Sequence, residues 1–484
     1  MPAEPALLQQ LNWGVLYVAS EWVIRVAALL YVPQRRPPSA SRAWLLLIFF
    51  LPWPGLVLYL LIGRAYMPRR RVRVQKQIYD LIRHLVPRSA SFETEVGETV
   101  SPELLPALRL ADRLSEFPIV GGNGFELLPH YEAAIDRVID EVDRAQRYVH
   151  MLFYIFEDDE IGQRVAQALE QAAKRGVAVS VLMDAIGSRG GLHGLGPGLR
   201  TAGAEVIAVM PLRLWGPNAA RFDLRNHRKI VVVDGAVAFF GSQNIVSAHA
   251  NRGLVNEDML VRATGPIVRH LEAVLLGDRY LEVGTLPAVQ IDLTPPRRDS
   301  VVHGLAQVVP SGPGYSEGTA EALIIALMYG ARSRVVLTSP YVIPSEAFLA
   351  AMCSTARRGV AVDLIVDAES NKPLVQLAQQ SYYDSMLKAG VNIRRHRGSF
   401  LHAKHMSVDD DVALIGSSNL DIRSFALNAE VSVLIYDRPV IAQLRQVQDA
   451  YLRQTDRVTV EDRRGVPLPR RALENLARLA DSLI

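Results

Sequence analysis

The sequence predicts an α/β protein of two tandem sandwich halves that form one pseudo-symmetric catalytic unit, preceded by two apolar N-terminal helices. Three observations carry that prediction. "AKRGVAVSVLMD", Ala173 to Asp184, is echoed by "ARRGVAVDLIVD", Ala356 to Asp367, and each leads an amphipathic helical pattern through a Gly-containing turn into a Val-rich buried strand. "NHRKIVVVDG", Asn226 to Gly235, sets His227, Lys229 and Asp234 at a spacing that "HAKHMSVD" repeats with His402, Lys404 and Asp409. "AWLLLIFFLPWPGLVLYLLIG", Ala43 to Gly63, is free of charge over its whole length, and such a length suffices to cross the hydrocarbon core of a bilayer.

Taken in chain order, residues 1–66 are expected to anchor the protein in a membrane. The first apolar segment, Leu11 to Val32, carries Glu21 and Arg25 near its middle. These lie at helical i and i+4, so they are expected to pair and to face the second segment instead of lipid, an interfacial amphipathic helix being the alternative. Pro52 and Pro54 are expected to kink the second segment, which transmembrane helices tolerate. No positive region precedes the first run, so a cleaved signal peptide is not expected. Arg35, Arg36 and Arg42 lie between the segments, and Arg64, Arg69, Arg70, Arg71 and Arg73 follow the second. If both segments span, the larger positive charge falls on the side of the C-terminal part and places it in the cytoplasm, where those arginines would meet anionic headgroups.

Residues 67–119 read as a polar linker, 120–295 as the first half and 296–484 as the second. "RYVHMLFYIF" and "SRVVLTSPYVIP" read as equivalent strands with Tyr154 and Tyr341 in corresponding places, and strands alternating with helices give each half a mixed or mostly parallel sheet. The last residues form an amphipathic pattern, with Leu473, Leu476, Ala477, Ala480, Leu483 and Ile484 opposite Glu474, Asn475, Arg478, Asp481 and Ser482. That pattern fits either a helix packed on the second half or contact with lipid. The formal charge of +3 is too small to suggest a nucleic-acid binder. A single cysteine, Cys353, excludes an intrachain disulfide and a Cys-rich zinc site.

The repeated motif carries the chemistry. In a strand, residues i and i+2 share a face, so His227 projects with Lys229 and His402 with Lys404. "GSQN", Gly241 to Asn244, and "GSSN", Gly416 to Asn419, follow at matching offsets, and Ser242, Asn244, Ser417 and Asn419 are candidates to bind substrate. Only six lysines occur in the chain, at 76, 174, 229, 372, 388 and 404. Two of the six lie in the motif, so chance repetition is a poor explanation. Two halves face to face bring two imidazoles to one site, which suits phosphodiester transfer: one attacks phosphorus while the other moves the proton. Asp258, in "NEDMLV", and Glu430, in "NAEVSV", are the candidates to orient the rings. His130, His150 and His249 have no such pattern around them.

These residues resemble the duplicated HKD signature of the phospholipase D superfamily. "GSSNLDIRSFALNAE" and "SGPGYSEGTAEALIIALMYGARSRVVLTSPYVIPSEAF" look like its bacterial cardiolipin synthases, and the resemblance extends to the paired apolar segments. It implies phospholipase D-like halves with His227, Lys229, Asp234, His402, Lys404 and Asp409 catalytic, and transfer of a phosphatidyl group from one phosphatidylglycerol to another with release of glycerol. It also favours the first-half histidine as nucleophile. The expected location is the bacterial inner membrane, with anionic lipids as partners and no nucleic acid, and no zinc or two-metal ligand spacing lies near the motifs, so no metal and no cofactor are expected. The internal symmetry of the sequence alone does not choose between the two histidines, nor does the sequence tell the oligomeric state. A hydrolytic phospholipase D or a nuclease would use the same two histidines, and a binding protein with a dead site is the non-enzyme alternative. "VMPLRLWGPNAARF" places Met210, Leu212, Leu214, Trp215 and Phe222 on a segment that could border a lipid entrance. With lysines neutralising the substrate in place of a cation, EDTA is expected to leave turnover in detergent intact, and a strict divalent-ion requirement there would contradict this reading.

Overall fold

The computed structural model describes residues 13–36, 38–63, 71–78, 96–97, 99–115, 117–211, 224–251, 253–287, 304–315, 318–370 and 372–479. The first half contains β1 (Gly124–Leu128), β2 (Tyr148–Phe153), β3 (Ala178–Asp184), β4 (Glu205–Val209), β5 (Lys229–Val233), β6 (Val237–Gly241), the short β7 (Asn256–Glu257) and β8 (Leu260–Thr264). Seven of these form one sheet in the order β1-β8-β6-β5-β2-β3-β4. β2, β3 and β4 run parallel, and the rest pair antiparallel.

The second half contains β9 (Ala306–Ser311), β10 (Arg334–Thr338), β11 (Val342–Ile343), β12 (Ala361–Asp367), β13 (Asn392–His396), β14 (Phe400–Leu401), β15 (His405–Val408), β16 (Val412–Gly416), β17 (Leu420–Asp421), β18 (Glu430–Ile435) and β19 (Thr455–Arg457). Its eight-stranded sheet has the order β19-β13-β12-β10-β15-β16-β18-β9. Read from β9 inward, that order repeats the first sheet strand for strand and adds β19 at the edge. The two expected sandwich halves are therefore present, each with a mixed sheet.

Alternation along the strands decides what each sheet face touches. Val149, Met151 and Phe153 of β2 pack outward against the helices Tyr131–Arg144 and Glu160–Lys174. Leu152 points the other way, into a core that also takes Leu182, Ile230 and Val232 from the first sheet and Val336, Ile365, Ala413 and Val431 from the second. Residues of the helices Ile267–Val283 and Arg438–Arg453 complete that core. Both halves thus bury apolar surface in common, and neither inner face is covered without the other.

The stretch read as a linker has a packing role of its own. Leu104, Leu108 and Ala111 are buried in the second-half core with Leu323 and Leu327 of the helix Thr319–Gly330. In residues 71–78, Arg71 is buried and pairs with Glu282 at 2.5 Å. Its polar composition hid the few apolar positions that dock it.

At the N-terminus the helix Trp13–Tyr31 is long and apolar enough to cross a membrane, and Trp13, Val23 and Leu30 project outward from it. Glu21 and Arg25 pair at 3.3 Å as expected, and Arg25 Nε also donates to the carbonyl of Phe49 at 3.1 Å, on the second apolar segment. That second segment differs from the expected single kinked span. It breaks at Leu51 into the helices Pro38–Phe50 and Pro52–Leu58, followed by a wide turn at Tyr59–Gly63, and it folds back on itself. Arg36 Nε donates to the carbonyl of Gly63 at 2.6 Å, closing the hairpin. A Cβ on Gly55 would lie 2.8 Å from Cα of Ile48, so only glycine lets the two arms approach this closely. Proline at the start of the second arm costs nothing there, because its missing N–H lies in a helical first turn.

The C-terminal helix Leu468–Leu479 docks on the second half through the face opposite to its leucines. Glu474 and Ala477 are buried, whereas Leu473, Leu476 and Leu479 are exposed. Glu474 receives both terminal nitrogens of buried Arg463, at 3.2 and 2.7 Å, while Arg463 Nε reaches Asp384 at 3.1 Å. The remaining residues of the expected apolar face, Ala480, Leu483 and Ile484, lie outside the described residues. Removing one carboxylate leaves Arg463 buried and half-paired, so Glu474→Ala is expected to lower the unfolding free energy in detergent by about 2–4 kcal/mol. Leu476→Ser should change it by less than about 0.5 kcal/mol. A denaturation midpoint that moves for Leu476→Ser and not for Glu474→Ala would show that the other face is docked.

Candidate active site

Backbone seams join the halves, and two of them end at a motif histidine. In one, His227 N–H donates to the carbonyl of Ala429, and Ala429 N–H donates to that of Arg225, both at 2.9 Å. In the other, β14 pairs in parallel with β7, and His402 N–H donates to the carbonyl of Glu257 at 2.8 Å. The residue after each seam is a carboxylate. Glu430 follows Ala429, and Asp258 follows Glu257.

The carboxylates therefore serve crosswise. His227 Nδ1 lies 3.0 Å from Glu430 of the second half, and His402 Nδ1 lies 2.8 Å from Asp258 of the first. With Nδ1 so engaged, Nε2 of each ring is the nitrogen left for chemistry. Each lysine is folded back on the histidine two residues before it: Lys229 Nζ donates to the carbonyl of His227 at 2.6 Å and Lys404 Nζ to that of His402 at 2.5 Å. The Tyr154 ring lies 4.8 Å from the His227 ring and beneath Lys229 Nζ at 5.5 Å.

Several residues expected in the site stand elsewhere or do another job. Ser242 and Ser417 are fully buried and face the carboxylates: Ser242 Oγ donates to Asp258 at 2.6 Å and Ser417 Oγ to Glu430 at 2.5 Å. They position the orienting groups and do not reach into the cleft as substrate ligands. The glycines before them allow close approach of the neighbouring strand, since a Cβ on Gly241 would meet the carbonyl of Met259 at 2.1 Å and one on Gly416 that of Val431 at 2.4 Å. Asn244 Oδ1 accepts from the backbone of Ile155 at 3.3 Å, whereas Asn419 lines the cavity beside His227.

Asp234 and Asp409 require the larger correction. They sit at the far ends of β5 and β15 in left-handed backbone, with φ of 55° and 47°. Five residues of strand separate Asp234 from Lys229, roughly 17 Å. Asp234 accepts from the N–H groups of Gln146, Arg147 and Tyr148, and Asp409 from those of Arg332, Ser333 and Arg334. Both carboxylates tie a turn to the start of the neighbouring strand, and neither touches the reacting groups. The constant spacing is that of a strand with a chemical end and a structural end.

Sequence reasoning also missed residues that hold the site. Asp184 and Asp367, the last residues of the two echoed segments, receive the backbone just before each histidine: Asn226 N–H at 3.1 Å and Leu401 N–H at 3.1 Å. Arg228, between His227 and Lys229, is buried, pairs with Asp278 at 2.5 Å and donates to the carbonyl of Glu430 at 3.0 Å. The echo contained the signal for the aspartates. Nothing local marked Arg228, whose partners are distant in the chain. A cavity of about 210 Å³ opens beside His227, lined in part by Tyr154, Tyr341, Lys372, Asn419, Arg423 and Asn428. Met210 is buried near Glu282, and Leu212, Leu214, Trp215 and Phe222 lie outside the described residues.

The electrostatics of the two ring pairs differ. Burial, then the charges of Lys229, Lys404, His402 and Lys372, hold His227 well below the ordinary imidazole value. Burial raises Glu430 to about 7, and Lys229 offsets this only in part. Asp258 is also buried, but His402 and Lys404 outweigh that and hold it at about 2. His402 is lowered by burial, with Asp258 working against the shift. Burial brings Lys229 to about 7 and Lys404 to about 8.

Two tandem sandwiches meeting at a pair of crosswise-oriented histidines define a phospholipase D-like protein. The fold is that of the phosphatidylserine synthase of Haemophilus influenzae Rd KW20, with a TM-score of 0.57 at 15% identity over 79% of this chain and all of that one. Residues 138–278 and 324–451 match the family described as "Cardiolipin synthase, PLD-like domain", and residues 23–64 match "Phospholipase_D-nuclease N-terminal". The chain is 31% identical over 474 residues to cardiolipin synthase A of Yersinia pseudotuberculosis serotype IB (strain PB1/+), covering 96% of this chain and 97% of that protein. It is equally similar to cardiolipin synthase A of Yersinia pestis. The chain belongs to the cardiolipin synthase family of phospholipase D-type enzymes, and with its apolar N-terminal helix it is a membrane-associated protein.

Because each orienting carboxylate serves the opposite half, Asp258→Asn is expected to lower activity about 10²- to 10⁴-fold through His402. The charge of Asp258 raises the pKa of His402. Its loss should therefore move the alkaline limb of the pH–rate profile, where His402 loses its proton, to lower pH. Asp234→Ala should lower thermal stability and leave the shape of the profile alone. An alkaline limb that does not move in Asp258→Asn would break the crosswise assignment.

Proposed function

We propose that this enzyme transfers a phosphatidyl group from one phosphatidylglycerol to a second, giving cardiolipin and glycerol, through a phosphohistidine on His227. The observation that carries the reading is the pair of crosswise imidazole–carboxylate contacts at one cleft, set in unequal surroundings. His227 is held below the ordinary imidazole value and faces a carboxyl group that burial raises to about 7, which favours a proton on the ring less than an ordinary carboxylate would, so its Nε2 lone pair is available to attack phosphorus. His402 faces an ionised Asp258, which stabilises the imidazolium needed to protonate a leaving alkoxide. This agrees with the assignment of the nucleophile that the family resemblance favours.

In the first step the Nε2–P bond forms, the bond from phosphorus to the glycerol oxygen breaks, and His402 gives that oxygen its proton. In the second, His402 takes the proton of the acceptor's primary hydroxyl, the new O–P bond forms and the N–P bond breaks. Lys229 and Lys404 neutralise the non-bridging oxygens as charge builds on them. An anionic phosphodiester between the lysines favours their charged forms, so binding should draw in protons between about pH 7 and pH 9, where both are partly neutral when the site is free. The cytoplasmic face of the bacterial inner membrane is the proposed location. The hairpin returns Gly63 to the side of Arg36, so Arg35 and Arg36 lie on the side where the second apolar segment ends, which the positive-inside rule assigns to the cytoplasm.

Incubation of the membrane-embedded protein with phosphatidylglycerol labelled in its acyl chains tests the reading. Cardiolipin is the expected product. Dominant phosphatidic acid would make the enzyme a hydrolase, and no product at all would leave a binding protein. His227→Ala and His402→Ala are each expected to reduce turnover by several orders of magnitude. Acid-labile phosphatidyl-enzyme should accumulate in His402→Ala and not in His227→Ala, and the opposite pattern would exchange the two roles.

A further inference from the structure

Two alcohols must occupy the same place in turn: the glycerol that leaves and the glycerol headgroup that attacks. They differ at one end only. The acceptor's glycerol carries a second phosphodiester, whereas the departing glycerol carries a hydroxyl there. A cation set to meet that far phosphate acts in the second step alone.

We propose that the cavity beside His227 is the headgroup subsite of the acceptor lipid, with Asn419 and Asn428 surrounding the glycerol's secondary hydroxyl and Lys372, aided by Arg423, holding the acceptor's own phosphodiester at the rim. This rests on the transfer reading above. The cavity's 210 Å³ is several times the volume of a water molecule and leaves room for a three-carbon polyol. Asn419 and Asn428 are 5% and 9% exposed and line its wall, and the Oδ1 atom of each has no hydrogen-bond partner within the protein. A buried acceptor is costly unless a donor meets it, and the secondary hydroxyl of the acceptor's glycerol supplies a neutral donor, while the primary hydroxyl keeps its proton for His402.

The amide wall is tied to the rim. Asn419 Nδ2 donates to Tyr341 Oη at 3.2 Å, and the Tyr341 ring lies 5.3 Å from Lys372 Nζ. Lys372 is solvent-exposed at that rim, Arg423 is half-buried beside it, and the Asp421 carboxylate lies beneath, accepting from Ser424 N–H at 2.6 Å. Two cations over one buried acid suit a phosphate arriving from outside, and they disfavour an ammonium headgroup. Lys229 and Lys404 are already committed to the phosphorus under attack. Lys372 therefore lets the enzyme prefer a phosphatidylglycerol acceptor to water or free glycerol.

Two rates measured on the full-length enzyme in detergent separate the steps: cardiolipin formation from phosphatidylglycerol, and incorporation of labelled free glycerol into phosphatidylglycerol, which uses the same phosphohistidine with an acceptor that lacks phosphate. Lys372→Gln is expected to lower the first rate at least about ten-fold more than the second, the loss of one charge-assisted contact, and Lys372→Arg to restore the ratio. Asn428→Leu should lower both rates and raise the KM for free glycerol. An equal fall in both rates for Lys372→Gln, or a fall in neither, overturns the phosphate role, and an unaltered KM for glycerol in Asn428→Leu overturns the polyol role. Unsubstituted enzyme that makes no cardiolipin and incorporates no glycerol overturns the transfer reading itself, and the subsite with it.

Discussion

The active centre depends on two of the backbone seams that stitch the halves together, those that end at the motif histidines. Each seam fixes a motif histidine and, one residue along the opposite strand, the carboxylate that turns its ring. A hydrogen bond of 2.9 Å from His227 N–H to Ala429 sets the distance between His227 and Glu430, and one of 2.8 Å from His402 N–H to Glu257 does the same for His402 and Asp258. Neither half can orient its own imidazole. The shared core of Leu152, Ile230, Val336 and Val431 serves the same end, since burying both inner sheet faces together holds the seams in register.

A symmetric framework with unequal charges follows from small differences around a repeated motif. Both carboxylates are buried and both accept from a serine, yet Asp258 is held at about 2 and Glu430 rises to about 7. The balance between burial and the nearest cations decides this. Asp258 lies against His402 and Lys404, whose charges exceed the penalty of burial, while Glu430 faces an imidazole that its surroundings keep neutral. Two chemically identical rings are in this way given unlike electrostatic surroundings without altering the motif.

The membrane anchor is asymmetric as well. Among the described residues one helix has the length to cross a bilayer, and the second apolar segment turns back at Leu51 with Gly55 against Ile48. Arg25, which would be costly in lipid, bonds Glu21 and the Phe49 carbonyl at the helix end that the break exposes. The charge and the break therefore stabilise each other. The hairpin also delivers the chain to the face it left, near Arg36.

The sequence by itself determined the duplication, the echoed helix-to-strand unit in each half, the two histidines and the lysines beside them, because period-two burial and repeated spacing are local properties that survive in a string of letters. It also singled out Asp258 and Glu430 as orienting groups. What it could not show was which ring each carboxylate serves, since that depends on contacts spanning 144 and 203 residues. For the same reason Arg228 and the cavity around Lys372 and Asn428 were invisible. Spacing also misled: Asp234 and Asp409 repeat with the chemical residues and yet stand at the other end of the strand, because a motif records everything a strand must keep. The turn at Leu51 and the docking of Leu104 and Leu108 were decided by packing against distant partners, which composition does not encode.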